Sequence, residues 1–208
     1  RVSAVRWGVA GNFLAAWGNV IANDLVGRVQ VHLEGVGEEG VVRMPAATAG
    51  SALPDFWSID DVDEGGIGVP ITTLDAILSG TDAGQEILIK VDVEGHETVL
   101  VAAGQAAIRA HRPTFLMEIL PGADVEPLLT VFGGLGYHYH LITEDRLREK
   151  PRLQGEDRYR DWLITPLAAQ RLEHGRDHPA RTAPGRPEVD DDKGFRGHRS
   201  VERVVTRV

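Results

Sequence analysis

The sequence predicts an α/β fold, a mostly parallel sheet covered by helices on both faces. Three observations carry that prediction. Residues 87–93 (ILIKVDV) are apolar apart from Lys90 and Asp92, the pattern of a central strand buried on both sides. Residues 97–110 then carry Val99, Leu100, Ala103, Ala107 and Ile108 on one helical stripe. Residues 114–120 (TFLMEIL) return to a buried strand. Strand, helix and strand in so short a stretch make a βαβ unit, whose crossover joins parallel strands.

The remaining elements follow in order. Residues 1–7 alternate like a short strand, and residues 11–25 space Phe13, Leu14, Trp17, Val20 and Ile21 like a helix that stops near Asn23-Asp24. Residues 27–37 alternate again, with Val29, Val31 and Leu33 on one face, and 38–44 suggest a turn and an outer strand. Residues 45–68, rich in Ala, Gly, Asp and Pro, read as an irregular excursion whose acidic run (Asp60, Asp61, Asp63, Glu64) is a solvated loop. Residues 69–80 are extended and then helical, with Thr72 or Thr73 as the cap and Asp75 in the first turn. Arg109, His111 and Arg112 suit the C-terminal end of the helix over 97–110, and Pro113 stops it. Residues 125–143 read as a helix, a glycine turn and a strand, and 159–166 as a last strand. The domain is expected over 1–172. Residues 173–208, strongly polar before Val201, are expected to be a disordered tail.

Composition narrows the function. A net charge of −9 argues against nucleic acid as a partner. The absence of cysteine excludes disulfides and thiolate metal sites. No apolar run approaches the roughly 18–20 residues of a membrane span, and no leader is visible, so a cytoplasmic protein with no membrane partner is expected. Oligomeric state cannot be read.

Two acids, Asp92 and Glu94, stand where the strand at 87–93 must turn at Gly95 into its helix. Ligands of open α/β sheets bind beyond the carboxyl ends of the strands. Glu118, near the end of the neighbouring strand, is expected to face the same opening. Buried strands do not carry acids to their ends for stability, since desolvating a charge costs several kcal/mol unless it is paired. Such a trio can hold a divalent metal, take a proton from a hydroxyl, or bind a cation or sugar hydroxyls. His96 is a second candidate base. Glu97 is equally well read as a helix cap.

The order Pro70, Thr72-Thr73-Leu74-Asp75, then Lys90, Asp92, Glu94, Gly95 and Glu97, then Arg112-Pro113 and Glu118, resembles the FkbM family of S-adenosylmethionine-dependent methyltransferases. The resemblance covers roughly residues 1–166. It implies a class I methyltransferase (Rossmann-like) fold with an antiparallel last strand. It implies O-methylation of a hydroxyl on a sugar or natural-product-like small molecule, with S-adenosyl-L-methionine as cofactor. Under it, Asp92 and His96 are the catalytic candidates. Val36, Gly37 and Asp92 would bind cofactor, and Glu94 and Glu118 would bind substrate; no metal is implied. The family's glycine-rich cofactor turn is absent, its first strand is expected to be missing, and Arg6 stands where the family has a ribose-binding acid. Two alternatives follow: a degenerate relative without cofactor binding, and a metal-dependent hydrolase using Asp92, Glu94 and Glu118.

Overall fold

The computed structural model describes residues 3–6, 10–44, 67–82, 84–93, 95–167 and 202–207. Most of the excursion, its acidic run, Glu94, residues 168–172 and residues 173–201 of the tail lie outside them.

The chain forms β1 (Ser3–Arg6), α1 (Ala10–Ala22), β2 (Val29–His32), β3 (Gly35–Val36), β4 (Gly40–Met44), β5 (Ile67–Thr72) and α2 (Leu74–Leu78). It continues with β6 (Ile87–Asp92), α3 (Glu97–Ala102), α4 (Gln105–His111), β7 (Thr114–Glu118) and α5 (Glu126–Gly134). The hairpin β8 (His138–Ile142) and β9 (Leu147–Lys150), then β10 (Asp161–Thr165) and β11 (Glu202–Arg207), complete it. The large sheet has the order β2-β1-β11-β6-β7-β10-β8-β9, and β3-β5-β4 form a small one.

The large sheet is parallel from β2 through β7 and antiparallel from β7 through β9. It is therefore mixed, with β10 and β9 running against the direction of the other six strands. A returning strand, β10, inserts between β7 and β8, and the β8–β9 hairpin extends the same edge. β9 was not expected: three of its four residues (LREK) are charged and three are exposed, and pairing with β8 rather than burial fixes them.

Alternation decides the core. Ile89 and Val91 on one face of β6, Phe115 and Met117 on the same face of β7, and Val93 and Ile119 just beyond the two strands are fully or almost fully buried. Leu100, Ile108, Leu128 and Phe132 from α3, α4 and α5 close over them with Trp162 and Ile164 of β10. The single helix expected over 97–110 is two. Gly104 lies at the break with a non-helical φ of −125°, and a Cβ there would lie 2.6 Å from Cβ of Leu74. The start of α4 is capped from outside: the Ala107 amide donates to Oδ1 of Asp75 at 2.7 Å. Thr73 caps α2 as expected, its Oγ1 accepting from the Ala76 amide at 3.0 Å.

Residues 202–207, within the stretch expected to be a disordered tail, form a strand. They pair in parallel with β1 on one side and β6 on the other, filling the centre of the sheet. Val204, Val205 and Thr206 are β-branched strand formers at its middle.

Candidate functional site

β6 and β7 run parallel with Val91 beside Met117, so the next residues, Asp92 and Glu118, end the two strands at one rim. Both belong to the face opposite the buried Val91 and Met117. β10 runs the other way and begins at that rim, with Asp161 directly opposite Glu118 and therefore on the same face. Three carboxylates thus converge beyond the carboxyl ends of two parallel strands. Lys90, two residues back on β6, bridges two of them: its Nζ lies 3.7 Å from Oδ2 of Asp92 and 3.3 Å from Oδ1 of Asp161. Asp92 is only 18% exposed and Asp161 58%, so the cluster grades from a sheltered acid to a wet one.

Sequence reasoning missed Asp161. The signal was available: an antiparallel strand begins where its parallel neighbours end, so an acid at its first position lands beside theirs.

The loops after the same strands bound a cleft of about 330 Å³. Its wall from Ile119 through Val125, with Pro127 and Leu128, is largely apolar, and Glu97, Thr98 and Asp124 supply polar side chains. Glu97 is 3% exposed, and its Oε1 accepts from the Gly95 amide at 3.1 Å. The capping alternative weighed for Glu97 is what the geometry shows, and it comes with a carboxylate on the cleft wall. Gly95 has φ +94°, a conformation glycine adopts without the steric cost a side chain would meet, and this turns β6 into α3. Asp124 accepts from the Glu126 amide at 3.1 Å at the start of α5.

His96 lies at the head of α3, exposed, and is not among the cleft residues. Its Nδ1 is 3.3 Å from the Val93 carbonyl. A carbonyl only accepts, so this contact calls for the Nδ1–H tautomer and leaves the lone pair on Nε2. Val36 and Gly37 are buried at the end of β3, where the Gly37 amide donates to the Thr72 carbonyl at 2.9 Å. Val99 of α3 packs close to Gly37, which joins this turn to the helix that follows the rim.

Chemically, the rim is an acidic crevice in which Lys90 lies near Asp92 and Asp161. It can stabilise positive charge, accept protons and take hydrogen bonds from hydroxyls. Among the described residues no group of three or more histidine, aspartate or glutamate side chains is arranged to hold a metal ion, and no helix is long and apolar enough to cross a membrane.

A family model for the methyltransferase FkbM domain matches residues 12–139, a stretch that includes β6, β7 and both acids at their ends. No curated protein and no solved structure matches the chain.

Proposed function

The chain belongs to the methyltransferase FkbM domain family, and from that premise we propose that it is an S-adenosylmethionine-dependent O-methyltransferase. We read its fold as class I, Rossmann-like, its acceptor as a hydroxyl of a sugar or natural-product-like small molecule, and its location as cytoplasmic. The observation that carries the reading is the gathering of Asp92, Glu118 and Asp161 on one face at the carboxyl-end rim of β6 and β7.

The cofactor supplies a methyl group on a cationic sulfonium. The donor set suits its charged end, since carboxylates favour a nearby positive charge. Val36 and Gly37 offer an apolar turn for the adenine. Arg6, at the end of β1, does not suit the ribose, because a guanidinium only donates hydrogen bonds. Asp92 serves as the base that takes the acceptor proton, sheltered enough to be effective and steadied by Lys90. His96, through Nε2, is the second base, and Glu118 and Glu94 bind acceptor hydroxyls. The cleft bounded by the loops after β6 and β7, about 330 Å³, gives room for the acceptor's body.

The test is transfer of a labelled methyl group from S-adenosylmethionine to a panel of sugar and natural-product alcohols, with thermal shift as the binding readout. We expect cofactor to raise Tm, and Asp92→Asn to lower kcat by roughly 10²–10⁴-fold, the usual loss when a positioned base is removed. The variant should keep its fold, because Lys90 retains Asp161 at 3.3 Å. His96→Gln run in parallel tells which group is the base. Parent-level turnover in Asp92→Asn would remove its role; no thermal shift and no transfer would remove the activity.

A further inference from the structure

The central strand of the large sheet comes from the far end of the chain. We infer that residues 202–207 occupy this slot in cis as an integral part of the fold, so that the parallel half of the sheet depends on the C-terminal segment. The inference concerns the sheet and holds whatever chemistry the rim performs.

The pairing is two-sided. Against β6 it runs from Glu202 beside Ile87 to Arg207 beside Asp92, and against β1 from Ala4 beside Val204 to Arg6 beside Thr206. Take β11 away and two inner edges open at once. One is the edge of β6, whose Ile87, Ile89 and Val91 are at most 5% exposed. Buried backbone amides and carbonyls without partners are costly, and bare apolar edges recruit other strands. The β1–β2 ribbon would lose the pairing that joins it to the rest of the large sheet.

The sequence of the segment fits a central slot. Val204, Val205 and Thr206 fall at the middle registers, while the charged Glu202, Arg203 and Arg207 fall at the two ends. The basic residue of the carboxyl end is in register with Asp92, at the acidic rim.

The connection is also short in space. β10 runs antiparallel to β7 and ends where β7 and β8 begin, with Ile164 beside Phe115 and Thr165 beside His138. β11 begins at the same rim, with Glu202 beside Ile87. The end of β10 and the start of β11 are therefore roughly 15 Å apart along that rim at the usual strand spacing. Residues 168–201 can reach up to roughly 110 Å when extended, so geometry does not force the strand to come from another copy.

Hydrogen exchange on the full chain tests this directly. The amides of Val204, Val205 and Thr206 should be protected to within about tenfold of those of Ile89 and Val91, as members of one cooperative unit. Val204→Pro removes an amide at the centre of the strand. It should lower Tm and speed exchange in β1 and β6 more than in β8 and β10. If that variant does not fold, exchange in the parent decides alone. Light scattering on the same sample should give the mass of a monomer. Exchange at 204–206 as fast as in an unstructured peptide, or an unchanged Tm in Val204→Pro, would overturn the inference. Protection in an obligate dimer would show the strand exchanged between copies and would overturn the assignment in cis.

Discussion

His140 sits in the middle of β8 at 2% exposure, and among the described residues its Nε2 meets no hydrogen-bond partner. Burial makes the imidazolium expensive and pushes its pKa below the ordinary 6.5; Glu149 opposes that shift and His138 adds to it. The sign follows from linkage. Below 6.5 the unfolded chain takes up a proton that the folded chain resists, so stability contributed above 6.5 is lost as the pH falls through the folded pKa. Asp145 and Glu156 belong to a different window. Hydrogen bonds from Thr143 and Lys150 hold their carboxyls low, so their contributions are lost only below the usual carboxylate range. We therefore expect Tm to decline between about pH 6.5 and 5, the span in which an ordinary histidine becomes protonated. His140→Gln should flatten that limb and leave the lower one. A parent and variant with parallel Tm–pH curves over that span would rule His140 out as its cause.

At the scale of elements, the same substitution at two glycines should act in opposite directions. A Cβ on Gly104 would lie 2.6 Å and 2.7 Å from Cβ and Cδ2 of Leu74, which is itself 1% exposed and has little room to yield. Gly104→Ala should cost about 1–3 kcal/mol, the range for overpacking a filled core. Gly134, near the end of α5, has nothing within 4 Å of its Cβ position and a negative φ. Gly134→Ala should stabilise by up to about 1 kcal/mol through helix propensity and a less flexible unfolded chain. Denaturant melts of both variants check the pair, and equal signs would contradict the packing argument. The contrast also explains what the sequence could reveal. The apolar runs of β6 and β7 and the Thr73 cap are local patterns and were legible. The break between α3 and α4 was not, because it goes with a contact to Leu74, thirty residues upstream, and a cap from Asp75. The rim acids Asp92 and Glu118 were legible from strand ends alone. Asp161 needed strand direction, and β11 needed knowledge that the sheet's centre lacked a partner; neither is written in a local pattern.

The whole molecule adds a field that no single residue supplies. The chain carries −9, and three acids stand at the rim, two of them in contact with Lys90. A net negative field focused on a crevice raises the local concentration of cations, and salt weakens it. S-adenosylmethionine has net charge of about +1 at neutral pH, from its sulfonium, ammonium and carboxylate, whereas the product S-adenosylhomocysteine is close to neutral because the sulfonium is gone. The two ligands share every other group, so their comparison isolates the charge. Raising ionic strength from about 0.05 to 0.5 M shortens the screening length from about 14 Å to about 4 Å. Distant charges then drop out, while contacts inside the crevice survive. We expect Kd for S-adenosylmethionine to rise several-fold over that range and Kd for S-adenosylhomocysteine to change little, as read by calorimetry. Asp92→Asn should reduce the salt sensitivity of the first ligand without creating any for the second. An equal salt response of the two ligands would mean that the sulfonium is held away from this rim, and it would remove the electrostatic half of the proposed function while leaving the fold as described.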